Sequence, residues 1–501
     1  KVLFSFHVKW SNLSILFSVC YALNSRTVTM GTVWSTVVEY CPETLAMKVS
    51  ESYNRKRKKD LADDEELKLN SFLTSPKRRK LACTAMYIYQ ALYVEGKDSD
   101  ITVNVLDKDW KLHKVYLGQS QYFHSMFSGS WSETNKSHIN IKAEDPNITV
   151  EALDTVFGSF YLDEITVEPR VVIGVLAAST MFQLEGLIEQ CCEIMLETIS
   201  PLTAVKYYQA ACQYGAQNVK EKIISWFTVN LTDYFAKNAV RLQDIDIDLM
   251  LTILRRPDLC VMQTEMTLYY LLRKWMYLRI FQPKDESIES KDFKKLSEVG
   301  GDNTCFLLSS QGQCYIDVFR ELRIHHLLLH AQDNAAVIED KILPEIWLSE
   351  AYKNHWISLL DVSSTSDKGP GRLNDETFAD NAIRCGRVIK EGDTRSWRWN
   401  WFNYGIDLIW SISENGIYVQ RHCSLCSISH SPQTHHVMAQ VEVLNLDEQR
   451  QVKRRIKSDV TWFALTKNQE VKLLTMTEDF DYPLYISIKV LVTSPPTKSD
   501  G

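Results

Sequence analysis

The residue types that can do chemistry sit in separate short stretches of the chain. His422, Cys423, Cys426 and His430, with His435 and His436 just beyond, have a spacing that could hold zinc, because Cys-x-x-Cys sets two thiolates on one tetrahedral face. A hairpin tip with incidental cysteines reads the same way, and the expectation is no metal. Arg55, Lys56, Arg57, Lys58 and Lys59 form one cation cluster, and Lys77, Arg78, Arg79 and Lys80 a second, with residues 60–76 between them. Paired clusters of this kind suit the acidic grooves of an importin, as a bipartite nuclear-import signal; a solvated charge run has the same appearance. Gly31 after Met30, with Ser35 following, fits a myristoylation pattern. One acyl chain binds membrane only marginally, so a dimer presenting two would be needed. Trp131 and Glu133 flank Ser132 in a Gly-Ser-rich turn, where an indole is expected to project as an anchor; packing in its own core is the competing reading.

Catalysis is not expected. No Gly-x-Gly-x-x-Gly, Walker loop, Gly-x-Ser-x-Gly elbow or His-Glu-x-x-His occurs, and Cys385 has no histidine near it in the sequence. No cofactor is implied.

Composition is that of a globular protein of two to four domains: 501 residues, 45% hydrophobic and 24% charged. The net charge of -7 conceals a segregation. Ten cations against five anions between Arg55 and Lys80 give +5, leaving -12 for the rest, so no broad face for nucleic acid is expected. Twelve cysteines without a repeating spacing argue for reduced thiols. Residues 13–23, LSILFSVCYAL, are too short to span a bilayer and lack a small-x-small cleavage site. They are expected to be translated upstream material ahead of Met30 rather than a secretory signal.

The positioning elements follow from periodicity. Residues 1–80 read as a disordered segment carrying the basic clusters. Ile101, Val103 and Val105 alternate with polar residues, a turn is expected at Asp107 to Asp109, and Trp110 and Leu112 resume the alternation, which is a hairpin. Val115, Leu117, Tyr122, Phe123, Met126 and Phe127 then form the apolar stripe of two short helices. Helical spacing persists to about Arg279. Residues 282–375 read as a linker with short helices, and from Cys385 onward aromatic and β-branched runs predict about seven strands. Glycine doublets at propeller spacing are absent.

The order hydrophobic alternation, Leu112-His113-Lys114, Leu117, Tyr122-Phe123-x-x-Met126-Phe127 resembles the BTB (POZ) domain, and the all-helical stretch after it resembles the BACK domain. Ser-Pro-Lys-Arg-Arg-Lys80 ahead of Tyr87-Ile-Tyr89, the loop Met126-Phe-Ser-Gly-Ser-Trp131-Ser-Glu133, and Arg384-Cys-Gly-Arg387 leading to Trp397-Arg-Trp399 and Phe402-Asn-Tyr404-Gly-Ile-Asp-Leu408 together resemble the germ cell-less family over roughly residues 70–495. That resemblance implies an α+β multidomain chain: an α/β BTB/POZ domain at 81–168, an all-α BACK domain at 169–281, and a β-rich germ cell-less C-terminal domain at 376–495.

It also implies an adaptor of a cullin-3 ubiquitin ligase, active in germ cell development and spermatogenesis, in the nucleus and at its envelope, with cytoplasm or cell membrane as further sites. In such adaptors a hydrophobic-x-Glu motif grips the cullin. Here Trp131 and Glu133 match it, with Phe123, Met126 and Phe127 supporting the loop. Met86, Tyr89 and Leu92 would meet a second copy, and Asp100 and Lys114 match a charged pair near the BTB dimer interface, with a surface salt bridge as the equal alternative. His113 reads as a satisfied core histidine. The C-terminal domain would choose the target protein, with Arg384, Arg387 and Arg398 as candidates to pair with acids, although ordinary surface charge is the favoured reading of each. A nuclear-envelope scaffold or transcriptional co-regulator without cullin is the alternative.

Overall fold

The computed structural model describes residues 84–129, 136–162, 164–283, 290–299, 305–328, 330–363, 373–402, 406–422, 434–466, 468–476 and 481–493. All belong to one compact unit, Thr84–Gly501.

The hairpin forms where the alternation puts it. β1 (Ile101–Val105) pairs antiparallel with β2 (Lys108–Leu112), bringing Val103 opposite Trp110. Ile101, Val103, Val105, Trp110 and Leu112 are all buried, because a period of two sends every second side chain to the core face. The turn is tighter than expected: Leu106 and Asp107 alone bridge the strands, both at positive φ, 49° and 60°, the geometry whose twist matches a two-residue hairpin. β3 (His138–Asn140) adds parallel to β1 on its other side.

α1 (Thr84–Ile88, continuing through Tyr89–Val94 as a wider π-type turn) precedes the sheet. α2 (Lys114–Leu117), α3 (Gln121–Ser128) and α4 (Val150–Ser159) follow its strands. A helical array continues without a strand through α5 (Val172–Met181), α6 (Glu185–Glu197), α7 (Ala204–Tyr214), α8 (Gln217–Asn230), α9 (Ala239–Gln243), α10 (Ile247–Leu254) and α11 (Glu265–Phe281). Local signals set several ends. The Thr149 hydroxyl accepts from the Ala152 N–H at 3.2 Å and Asp246 from the Leu249 N–H at 2.7 Å, while Gly215 at φ 75° closes α7.

Residues 282–375 correct the linker reading. They do carry short helices, α12 (Lys294–Val299), α13 (Ile316–Arg320), α14 (Ile324–Leu327) and α15 (Ala331–Asp340), and then the 19-residue α16 (Glu345–Ser363). Yet Leu296, Phe306, Val318, Phe319, Leu327, Val337 and Ile342 are fully buried in the same core as the preceding helices. Arg273 of α11 binds both oxygens of Asp340 at 2.7 and 2.6 Å, so this segment is packed structure. Among the described residues no helix is long and apolar enough to cross a membrane.

After α17 (Asp375–Asn381) the chain forms nine described strands, two more than expected. β4 (Ile383–Ile389), β8 (Thr434–Leu446), β9 (Val452–Lys457), β10 (Thr461–Thr466) and β12 (Leu484–Thr493) make one sheet in which β8 and β12 pair centrally and β9 joins β8 beside β10. β5 (Ser396–Phe402), β6 (Ile406–Ser413), β7 (Gly416–His422) and β11 (Glu470–Thr475) make the other, ordered β11-β7-β6-β5. Trp397, Leu408, Trp410, Val419, Val441, Ile486 and Ile488 fill the space between them, an arrangement of two sheets face to face.

β12 is buried along its whole length because the sheet's outer face lies on the helical array. Tyr485 and Leu444 pack with Val229, Cys260 and Met262. Gly386 shows how close the approach is: a Cβ there would sit 2.7 Å from the carbonyl oxygens of both Ile486 and Val261. Its own carbonyl accepts from the Gln263 N–H at 2.7 Å. At the centre lies a buried ionic cluster. Arg384 and Glu265, with side chains 4% and 0% exposed, pair through Nη2 to Oε1 and through Nε to Oε2 at 3.2 Å. Glu265 also accepts from the Arg323 N–H at 3.1 Å, and the Arg323 guanidinium donates to the carbonyls of Ala382 and, at 2.6 Å, Ala379.

Glu265→Ala leaves the Arg384 guanidinium without its carboxylate and the Arg323 N–H without its acceptor, and is expected to cost about 3–5 kcal/mol of stability. Glu265→Met combined with Arg384→Met should recover much of that loss, because it removes the uncompensated charge as well. Urea denaturation of the full chain, followed by tryptophan fluorescence, measures both; a single variant as stable as the parent would show that the pair is unimportant.

Candidate functional site: the α2–α3 face

α2 starts where the strand ends, and its start is fixed from outside the helix. The Asp100 carboxylate accepts from the Lys114 backbone N–H at 2.8 Å, the role an N-terminal cap performs for an orphan amide. His113, one residue earlier, is 8% exposed with both ring nitrogens engaged, by the Tyr161 hydroxyl at 3.1 Å and the Lys97 carbonyl at 2.8 Å. It is a satisfied core histidine. Asp100 and Lys114 are therefore joined through backbone at the rim of the fold, whatever a second copy does with them.

α3 is capped by Ser120, whose Oγ accepts from the Phe123 N–H at 3.3 Å and donates to the Phe182 carbonyl at 2.5 Å. That second bond ties the start of α3 to the end of α5. Phe123 is fully buried, stacked on Phe182 with ring centroids 5.2 Å apart and on Phe127 at 5.9 Å. Its inclusion among cullin-facing residues needs correcting: it sets the direction of α3 and touches nothing outside. Met126 and Phe127 are half-buried against the same core.

Between α2 and α3 runs a groove of about 440 Å³ lined by Lys114, Val115, Gly118, His124, Phe127 and Ser128. Val115, read from sequence as part of the inward stripe, is 79% exposed, which corrects that reading. A four-residue helix turns only some of its side chains inward, and Leu117 takes the buried place. The Lys114 ammonium lies over the Phe127 ring at 5.5 Å. His124 and Ser128 escaped the sequence reading, although their spacing of one turn places them on a common face of α3. The lining ends at Ser128, the last residue of α3, and Gly129 caps the helix. Trp131 and Glu133 follow at once and lie outside the described residues.

The first helix offers a second surface. Met86, Tyr87 and Val94 are 58%, 66% and 55% exposed. Tyr89 and Leu92, expected to meet a second copy, are half-buried in their own fold; the Tyr89 and Tyr93 rings close on Gly158, where a Cβ would lie 3.3 Å from each. Met86 is the expected contact that stands fully outward.

The import clusters, Gly31, Cys423, Cys426 and His430 lie outside the described residues. Among the described residues no three His, Cys, Asp or Glu side chains are placed to hold a metal ion. Burial pushes the thiols of Cys191 and Cys260 up to about 12 and that of Cys385 well above its ordinary range, so none presents a thiolate at neutral pH. Arg384 is corrected too: it is committed to Glu265 and meets no external acid. Arg387 is half-buried with its guanidinium over Trp397 at 5.6 Å. Trp397 is core, Trp399 half-buried, and Arg398 exposed.

Phe123→Ala is expected to destabilise the protein by about 3–5 kcal/mol through the cavity left beneath α3. Val115→Asp, on the open groove, should stay within about 0.5 kcal/mol of the parent while removing partner binding. Thermal melts set beside a binding assay separate the two; equal losses of stability would contradict the exposure of Val115.

A BTB/POZ domain family model matches residues 89–199. The germ cell-less protein of Drosophila melanogaster is 38% identical over 494 residues, covering 90% of this chain and 85% of that protein. Human germ cell-less protein-like 1 is 34% identical over 453 residues, covering 87% of this chain and 85% of its own length. Among solved structures, the BTB domain of zebrafish PATZ1 aligns with 22% of this chain and 89% of its own at 18% identity and a TM-score of 0.19.

Proposed function

The chain belongs to the germ cell-less family and carries a BTB domain, and from that premise we propose that it is a substrate-specific adaptor of a cullin-3 RING ubiquitin ligase. The observation that carries the reading is the open groove between α2 and α3, lined as far as Ser128 and with Val115 79% exposed; in the sequence Trp131-Ser-Glu133 comes three residues after it. The groove joins the exposed Val115 and the Phe127 ring to a cation and hydrogen-bonding groups, a mixed lining that suits a protein partner. The sequence that follows supplies a tryptophan and a carboxylate, and one rigid aromatic anchor of that kind contributes about 2 kcal/mol or more.

In this reading the BTB domain pairs with a second copy through the outward side of α1, cullin-3 occupies the α2–α3 groove and its adjoining loop, and the β-sandwich holds the target. The chain positions a target by proximity and leaves ubiquitin transfer to other subunits; it is not itself an enzyme. The basic clusters at 55–59 and 77–80 hand it to an importin, and its place is the nucleus and the nuclear envelope, in germ cell development including spermatogenesis. Myristoylation at Gly31 would add peripheral attachment to the nuclear membrane.

Cullin-3 is expected to co-purify with the full chain and to be lost in a Trp131→Ala, Glu133→Lys double variant that still dimerises by light scattering. Retention of cullin-3 in that variant would overturn the assignment. An unbound wild type that dimerises and localises normally would favour a scaffold or transcriptional co-regulator working without cullin.

A further inference from the structure

The sheet that docks on the helical array has two edges, and they differ. At one edge, β4 is closed by the backbone of Gln263, which both donates to and accepts from Gly386. At the other, β9 pairs with the 442–446 half of β8 and has no second strand neighbour among the described residues. Its sequence, Val-Lys-Arg-Arg-Ile-Lys457, is four-sixths cationic, and every residue except Ile456 is exposed. An open edge presents a row of unpaired N–H and C=O groups, a ready template for an additional strand.

β9 is held in shape before any partner arrives. The turn ahead of it is pinned to the helices: Arg450 reaches Asp233 at 2.5 Å and Asn230 at 2.8 Å, and Gln451 donates to the carbonyls of Glu197 and Ile199 at 3.1 and 3.3 Å. Ile456 packs on the sandwich core. Beyond the strand, the Ser458 N–H donates to the Val441 carbonyl at 2.8 Å. A guest segment would therefore not have to order its host, which removes one of the main costs of strand addition.

The charges choose the guest. Arg455 is held by Glu442 at 3.0 Å, and Lys453 meets Asp481 at 2.9 Å with both side chains more than half exposed. The Lys453–Asp481 pair, exposed on both sides, is weak and exchanges readily for another carboxylate. Lys457 stands opposite Glu442 in the ladder, so one buried acid faces both Arg455 and Lys457. Cations also guard edges against self-pairing; the same feature rejects a second β9 and accepts a segment of opposite sign.

We propose that the open edge of β9 is the target-docking surface of the sandwich, and that its occupant is an extended acidic segment of a partner protein, added as a further strand. This deepens the receptor role given to the sandwich above, and its test needs no cullin. A fluorescent octapeptide alternating glutamate and valine is titrated against the full chain and followed by anisotropy. Three comparison probes are the same peptide with alternate backbone nitrogens methylated, its lysine counterpart, and single-stranded oligouridine.

The glutamate peptide is expected to bind, with affinity falling as salt rises. The methylated and lysine peptides should bind about tenfold or more weakly. A Lys453→Glu, Arg454→Glu, Lys457→Glu variant with an unchanged melting profile should lose at least as much. The methylated peptide tests backbone pairing on the unaltered protein, so the outcome does not depend on that variant folding. No binding of the glutamate peptide, equal binding of its methylated form, or tighter binding of oligouridine at the same residues would each overturn the proposal. So would a triple variant that self-associates while binding the peptide unchanged, since β9 would then serve only to guard the edge.

Discussion

The contact between Glu265 and Arg384 is the constraint on which the rest of the unit depends. Taking a carboxylate and a guanidinium fully out of water is expensive, and their attraction offsets it only when further hydrogen bonds satisfy both groups. Here they do: Glu265 receives the Arg323 amide as well, and the second guanidinium of the cluster is spread over two carbonyls of the segment ending α17. Burial holds Arg323 down to about 10, and even so it stays charged at neutral pH. Around this centre, Lys489 of β12 donates to the Pro257 carbonyl and the Arg450 turn grips Asn230 and Asp233. Each contact places a polar group of the sandwich against a matched one on the helices, so the relative placement of the two is specified in a way that apolar area alone does not specify.

That docking decides which surfaces remain for partners. The outer face of the five-stranded sheet is consumed: Leu444, Tyr485, Met438 and Leu491 are all buried. Arg384, the first of the arginines that looked free to meet an acid, is consumed with it. Among the surfaces that stay open are the outward side of α1, the α2–α3 groove and the β9 edge. Since helices and sandwich share one compact unit, a protein held at the sandwich is held at a defined position relative to the groove, which is what a positioning function requires.

The fold was legible wherever one face of an element is buried. Alternation at Ile101, Val103 and Val105 and at Trp110 and Leu112 located the hairpin, and helical spacing located the array from α4 to α11. Three features were not legible, for distinct reasons. β9 has no apolar alternation; it is a strand because β8 offers it a ladder, and context of this kind overrides propensity. The segment between 294 and 363 was expected to hold short helices, but not the 19-residue length of α16 nor its packing into the core, which depends on neighbours distant in the chain such as Arg273. The Arg384-Cys-Gly-Arg387 motif was recognisable as a string but not as a device. Its arginine answers a glutamate 119 residues away, its cysteine lies in the sandwich core, and its glycine makes room for Val261 and Ile486.

The site itself was half legible, and the division has a physical basis. Residue type announces a stack such as Phe123 on Phe127, because large aromatic surfaces must go somewhere, while the expected anchor Trp131 lies outside the described residues. It does not announce which side of a one-turn helix faces water. Val115 and Leu117 are equally apolar, yet the Asp100 cap on the Lys114 amide fixes where α2 begins and therefore which of the two turns inward. A carboxylate fourteen residues upstream of that amide thus selects the apolar residue that is left exposed. The groove is a consequence of backbone capping as much as of hydrophobic pattern.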